Sequence, residues 1–445
     1  LSAGLVVAFV PLYLGGRAEV PFHPDESTHL FMSRDFESLF LRRDLAALAW
    51  HPGEPLTPEA RYRLLDAPLP RYLIGLARRL GGFSADELNG DWEWDQNWAA
   101  NVRAGHLPAP ALLSTARIPA ALLGGLTPAL MFWIGAKVRG ARTGLFAALL
   151  LGLSPLMLLH TRRAMAEAPM LFFTCLSVWA GLRYAQAWDR LAQMDRPIFL
   201  GGTALGVIVG LAAASKHSAV VILPAVLLAA GLAIAQRPWP LARRMAALTG
   251  AWLAIGLSSG LTFLALNPVT YRAPVAVVAA MIRARADFVR AQVNYTAAVL
   301  PELTLTTIPE RFRATLLELY LRPPAVWDAP VYLEELGPKA EAYWNRPLGR
   351  PSPMVGALVA GFGAAGMGAS LFHLFRNRFN AATRAEQAVW LWSAAALSSI
   401  LLFAPLDWQR YFLPLLPPAC LFAALGADAL AAPLADRLAR KESLP

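Results

Sequence analysis

The sequence predicts an all-α polytopic membrane protein, and three observations carry that reading. Of its 445 residues 56% are hydrophobic and only 16% charged, against about 25% charged in an average soluble protein. Apolar runs recur, each long enough to cross a hydrocarbon core of about 30 Å. Basic residues gather on every second connection between those runs. The net charge of +10 then has a ready use as topology-setting Lys and Arg beside anionic headgroups, and it implies no nucleic acid. Cys175 and Cys420 both fall in apolar runs and read as buried free thiols, which say nothing about redox compartment.

Taken in order, about ten spans are expected: 1–15, 110–136, 143–160, 166–186, 198–215, 218–236, 245–266, 353–375, 386–405 and 410–431. The chain begins at Leu1 rather than Met, which leaves open whether residues precede it. Span one reads as a retained helix because nothing before Gly15-Gly16-Arg17 resembles a cleavage site. Residues 1–445 read as one transmembrane unit with two long loops, 17–109 and 267–352. The other connections are short.

Orientation follows from charge. Lys137, Arg139 and Arg142 follow span two, and Arg183, Arg190 and Arg196 follow span four. Arg237, Arg243 and Arg244 follow span six, Arg376, Arg378 and Arg384 follow span eight, and Arg437, Arg440 and Lys441 close the chain. These alternate loops are expected on the cytoplasmic side, which places both long loops on the outer face. Three short turns go with them, 160–167, 215–218 and 405–410. Asp25, Glu26, Arg162, Arg163, Glu167, Lys216, His217, Asp407 and Arg410 are therefore expected at one interface. The plain reading of an Arg or Lys there is a helix-end anchor that snorkels to the headgroups. It fits least well for Asp25-Glu26, which sit beside Pro24 between His23 and His29. A carboxylate at a bilayer surface is costly unless solvated or used.

A polar cavity with this composition suits group transfer from a lipid phosphate to a hydroxyl. Such a reaction needs a carboxylate to take the hydroxyl proton and cations to receive the leaving phosphate. Asp25 can serve as base, Lys216 and Arg410 with Arg162 or Arg163 as clamp, and Glu167, His23 or His217 as orienting groups. Other chemistries fit worse: no Gly-x-x-x-x-Gly-Lys-Ser/Thr loop, His-Glu-x-x-His pair or Cys cluster is present. His23 and His29 with Asp25 keep a divalent cation open, though loop histidines more often serve polar packing. Asp91-Trp-Glu-Trp-Asp-Gln-Asn-Trp98 mixes Trp with acids, a pattern of interfacial anchoring or of stacking on a sugar acceptor. A helix over 275–293 carries Arg283, Arg285 and Arg290 on an interfacial or solvated face.

The motifs in order resemble the C-type (GT-C) membrane glycosyltransferases, in the branch of protein O-mannosyltransferases and lipid A aminoarabinose transferases. The similar segments are Pro24-Asp25-Glu26, Ala67-Pro-Leu-Pro-Arg-Tyr-Leu73, Arg117-Ile-Pro-Ala-Ala-Leu-Leu-Gly124, and Ser154-Pro155 through Phe173. Gly210-Leu-Ala-Ala-Ala-Ser-Lys216, Asn267-Pro268 and Arg410-Tyr-Phe-Leu-Pro-Leu-Leu-Pro417 complete the set. The resemblance implies the GT-C fold. It implies Asp25 as general base with Glu26 beside it, and Lys216 and Arg410 on the donor phosphate. It also implies a polyprenyl-phosphate sugar donor, a hydroxyl acceptor on protein, lipid or glycan, and inversion at the anomeric carbon. Two departures stand out. Glu167 occupies a position where the family carries Asp. No stretch after residue 431 is expected to form a C-terminal outer domain, so loops 17–109 and 267–352 are left to recognise the acceptor.

The expected setting is the plasma membrane of a prokaryote, with the site on its outer, periplasmic face. A transporter or flippase for a lipid-linked or anionic substrate is the rival reading, and a non-catalytic subunit of the same fold is a third. Transporters place charge near the midplane in repeated halves, whereas here it concentrates at one face.

Overall fold

The computed structural model describes residues 1–190, 196–328 and 331–442. Thirteen of the helices among the described residues organise the molecule. They are α1 (Ser2–Gly15), α2 (Pro24–Met32), α3 (Leu69–Leu80), α4 (Ile118–Arg139) and α5 (Ala141–Gly152). Next come α6 (Glu167–Arg190), α7 (Arg196–Ser215), α8 (Ile222–Ala235), α9 (Leu241–Ala265) and α10 (Pro274–Val299). The series ends with α11 (Pro353–Arg376), α12 (Arg384–Phe403) and α13 (Leu416–Glu442).

Seven helices among the described residues are long and apolar enough to cross a bilayer, which makes this an integral membrane protein. They cover the spans expected at 110–136, 198–215, 218–236, 245–266, 353–375, 386–405 and 410–431. The first span appears as a shorter apolar helix, Ser2–Ala18, and 166–186 lies within α6. The expected span 143–160 is broken. The helix stops at Gly152, and a new short helix, Pro155–His160, starts with proline at its first position. Proline has no N–H to continue the ladder but suits the first helical turn. The side chains of Arg190, Arg196, Arg437, Arg440 and Lys441 lie outside the described residues.

Helix α4 is the hub, packing on α1, α5 and α6. From there α7 and α9 extend one flank, and α13 and α11 the other. Small residues permit the close crossings. Gly366 on α11 and Gly426 on α13 meet backbone to backbone, and a Cβ on either would collide with a carbonyl of the other helix.

The same hub fixes two opposite ends. Arg117, just before α4, pairs with Glu26, while Arg139 at its far end pairs with Glu386. Twenty-two residues of helix at 1.5 Å each span about 33 Å, close to the hydrocarbon thickness. The acidic motif and the basic connection after span two therefore sit at opposite ends of a membrane-length helix.

The two long loops form a cap at the Glu26 end. In the first, Asp35 binds Arg63 at 2.7 Å and Arg71 at 3.1 Å, tying α3 to the chain after α2. In the second, the expected helix over 275–293 appears as α10, with Arg283 and Arg290 exposed. Past α10 the chain lies antiparallel against the turn before α13. Leu305 donates its N–H to the Pro405 carbonyl and Asp407 donates to Leu303, both at 2.8 Å.

Candidate active site

The acidic motif is built by a helix start. His23 is the N-cap of α2 and Pro24 its first residue. The Asp25 N–H donates to His23 Nδ1 at 3.1 Å, and the His23 N–H donates to Glu26 Oε2 at 3.0 Å. This reciprocal capping box leaves Asp25 and Glu26 in the first turn, where the helix dipole favours negative charge. The two acids then part company. Glu26 is wholly buried and accepts from Arg117 Nε at 2.7 Å, Arg117 Nη2 at 2.6 Å and the Ala164 N–H at 2.8 Å. Burial works against its charge, but Arg117 outweighs it and holds the carboxyl below the usual carboxylate range. Asp25 is 26% exposed at its side chain and points at Arg410.

Arg410 sits in the 3₁₀ turn Gln409–Tyr411 and forks between two carboxylates. One Nη pairs with Asp25, and the other with Asp328 Oδ2 at 2.6 Å. Burial opposes ionisation of both acids, and the guanidinium reverses that, keeping each below the usual range. His23 closes the group through Nε2, 3.4 Å from Asp328. Since His23 Nδ1 accepts the Asp25 N–H, Nε2 is the ring nitrogen that donates to Asp328.

Lys216 forms the second cation–carboxylate pair. It follows α7 and reaches Glu167, the first residue of α6, at 2.8 Å. Glu167 also feels the charge of Arg410, which joins the two pairs electrostatically. Two buried polar atoms of this group, Arg410 Nε and Glu167 Oε2, have no partner among the described residues. Buried polar atoms are nearly always satisfied, so these mark places where a polar ligand would complete the site.

Arg162 and Arg163 form no ion pair with these carboxylates among the described residues, although Arg163 lies near enough to feel the charges of Glu26 and Asp328. Arg162 donates to the Leu12 carbonyl at 2.8 Å and lies over the Tyr13 ring. Arg163 is buried and donates to the carbonyls of Pro21 and Val326. Both guanidinia staple the 161–165 turn to its surroundings. His217 packs edge-on to Phe263, 5.8 Å between centroids, and also stands apart. Among the motif tryptophans, Trp92 is buried against Phe22, Trp98 and Tyr332, whereas Trp94 is half exposed with its ring 6.5 Å from His23.

Several neighbours of this group escaped the sequence reading. Asp328 lies in a loop where nothing but an acid after Val326-Trp327 marks it. Gln409 is buried beside Arg410. It accepts from the Ala325 N–H at 2.6 Å and donates to Glu318 at 3.0 Å, clamping the 322–328 segment to the Arg410 turn. Arg322 bridges Glu318 and Asp407 behind that clamp. A Gly-x-Ser-x-Gly turn is not expected from the sequence, yet its spacing is present at Gly256-Leu-Ser-Ser-Gly260. It lies inside α9, where Ser258 donates to the Ala254 and Ile255 carbonyls and no strand precedes it.

A divalent cation has a possible ligand set in His23, Asp25 and Asp328, whose ligand atoms lie within 4.8 Å of one another. The donor chemistry does not fit as arranged. Arg410 already occupies an oxygen of each carboxylate, and His23 presents Nε2–H rather than a lone pair.

Comparison with known proteins decides the family. Residues 30–282, more than half of the chain, match the family described as PMT, dolichyl-phosphate-mannose-protein mannosyltransferase. The chain belongs to the PMT family. The matched stretch contains Glu167 and Lys216 and leaves Asp25, Asp328 and Arg410 outside it. No curated protein sequence matches this PMT-family chain. Among solved structures it is similar to the apo oligosaccharyltransferase of Archaeoglobus fulgidus. That match has a TM-score of 0.57 and 14% identity, covering 100% of this chain and 52% of that one. The same organism's oligosaccharyltransferase AglB, in complex with an inhibitory peptide and a dolichol-phosphate, gives 0.51, 12%, 100% and 52%. ArnT from Cupriavidus metallidurans bound to undecaprenyl phosphate gives 0.47, 15%, 96% and 59%. The chain thus spans about half the length of the oligosaccharyltransferases it matches, and the likeness establishes the GT-C fold.

Proposed function

We propose that this PMT-family protein is an inverting glycosyltransferase. It moves a hexose or pentose from a polyprenyl-phosphate donor to a hydroxyl on a protein, lipid or glycan, at the outer face of a prokaryotic plasma membrane. The observation that carries the reading is the pair of cations, Arg410 and Lys216, each held by carboxylates at the same end of the bundle. Beside them, Arg410 Nε and Glu167 Oε2 are buried without a partner among the described residues. A phosphate oxygen satisfies the first and a hydroxyl the second.

The acceptor hydroxyl attacks the anomeric carbon, its proton passes to Asp25, and the bond from that carbon to the phosphate oxygen breaks. Arg410 and Lys216 receive the leaving phosphate. Paired with Arg410, Asp25 is a weak base. A donor phosphate that draws the Arg410 fork toward itself removes that counter-charge, and Asp25 becomes more basic as the donor seats. Asp328 keeps hold of the second guanidinium nitrogen meanwhile, and Glu26 with Arg117 fixes the helix turn that aims Asp25.

Transfer of label from a panel of radiolabelled polyprenyl-phosphate sugars to native membrane extract tests this, with Asp25→Asn as control. Label transfer that is lost in the variant is the expected result and would name the donor. Folded protein that binds these lipids but transfers nothing would move the reading to a transporter or a silent subunit.

A further inference from the structure

At the end of the bundle opposite the active site, a cleft of about 380 Å³ lies between α4 and α6. Its walls are Trp133, Ala136, Lys137, Trp179 and Arg183. The two indoles stand 5.5 Å apart at 36°, forming one side of the cleft, and Trp133 is 39% exposed. Lys137 and Arg183 are exposed and have no carboxylate partner among the described residues. That distinguishes them from their neighbours on the α4–α5 hairpin, since Arg139 is tied to Glu386 and Arg142 to Asp428. Depth along the bundle is fixed by the helix. Lys137 lies twenty residues beyond Arg117 on the same helical run, which is about 30 Å, one hydrocarbon thickness from the acidic end.

We infer that this cleft binds the phosphate headgroup of an anionic membrane phospholipid. Two cations at headgroup depth, without a carboxylate partner among the described residues, offer charge-assisted bonds to phosphate oxygens. Paired indoles at the same depth supply the amphipathic faces that sit at a membrane interface and cover the glycerol and upper acyl region. Trp133 in the cleft wall is exposed on a helix long and apolar enough to cross a bilayer, so the occupant keeps its acyl chains in the bilayer. The site is separate from the proposed transfer and stands or falls without it.

The test is native mass spectrometry of the full chain released from detergent after exposure to equal amounts of phosphatidylglycerol and phosphatidylcholine. Wild-type protein is expected to retain phosphatidylglycerol preferentially, by roughly thirty-fold if each cation is worth about 1 kcal/mol beside an anionic headgroup. The double variant Lys137→Gln, Arg183→Gln is expected to lose that preference. Both side chains are exposed, so the fold survives the change, and each single variant is expected to lower the preference about five-fold. Equal retention of the two lipids by wild type, or undiminished preference in the double variant, would overturn the inference. Displacement of the lipid by millimolar inorganic phosphate would overturn it too, because a site for the free anion has no need of acyl chains.

Discussion

The adjacent acids Asp25 and Glu26 are expected to fail in opposite ways when each is made an amide. Glu26 is fully buried, and all its acceptor positions are filled by four donors: two Arg117 nitrogens and the N–H groups of His23 and Ala164. Glu26→Gln keeps the volume but removes the charge opposite buried Arg117 and turns an NH₂ group toward donors. Breaking a buried pair from one side costs about 3–5 kcal/mol. Asp25 is partly exposed, and Arg410 keeps Asp328 if Asp25 becomes Asn, so that change costs about 1 kcal/mol or less. Its effect falls on chemistry instead, where loss of a general base lowers turnover by about 100- to 10,000-fold. The assay is a thermal unfolding midpoint in detergent measured on the same preparations as sugar transfer. Glu26→Gln should unfold well below wild type, and Asp25→Asn should melt near wild type while transferring almost nothing. A Glu26→Gln protein that melts normally but is inactive would make Glu26 part of the chemistry. An Asp25→Asn protein with normal turnover would remove Asp25 as base.

Three further outcomes are expected. Arg410→Lys replaces a planar fork with a point charge that cannot hold Asp25, Asp328 and a phosphate together. Donor KM should rise about ten-fold or more, the scale of one charge-assisted bond, and an unchanged donor KM would show that Arg410 does not touch the donor. Burial, aided by neighbouring Asp407, pushes the Glu318 carboxyl up to about 7 despite Arg322. The folded protein then binds the extra proton between the unfolded value near 4.5 and about 7, so stability should fall as pH rises through that window. Glu318→Gln should flatten the profile, which melting curves from pH 5 to pH 8 would read; a profile identical in both proteins would place the proton elsewhere. Gln409→Leu strands the Ala325 N–H and one Glu318 oxygen, a loss of about 1–3 kcal/mol per group. It should lower both the melting midpoint and turnover, with Gln409→Glu restoring part of the acceptor function; a fully active, normally melting leucine variant would show that the clamp does not position Arg410.

What the sequence could reveal follows the range of the interactions involved. Hydrophobic run length is a local property, so the helices that cover seven of the expected spans were legible, and so was the helix over 275–293. The break at Pro155 was legible in kind, because proline at a helix start is a local signal, yet the apolar run on both sides hid it. Charge alternation is also local, and the chain does place Arg117 and Arg139 at opposite ends of one membrane-length helix. Partner choice within one end is different in kind. Arg162, Arg163, Lys216 and Arg410 are indistinguishable by composition and depth, yet two staple backbone carbonyls and two face carboxylates. Only the tertiary arrangement decides that. The 405–407 chain pairs with 303–305, and Gln409 clamps residues 322–328, which brings Asp328 under a guanidinium 82 positions away. An acid in a long loop carries no periodicity and no cap to announce it. Its role was invisible for the same reason that Arg117, inside the expected span 110–136, could not be read as the counter-charge of Glu26: in both cases the informative fact is a contact between distant segments.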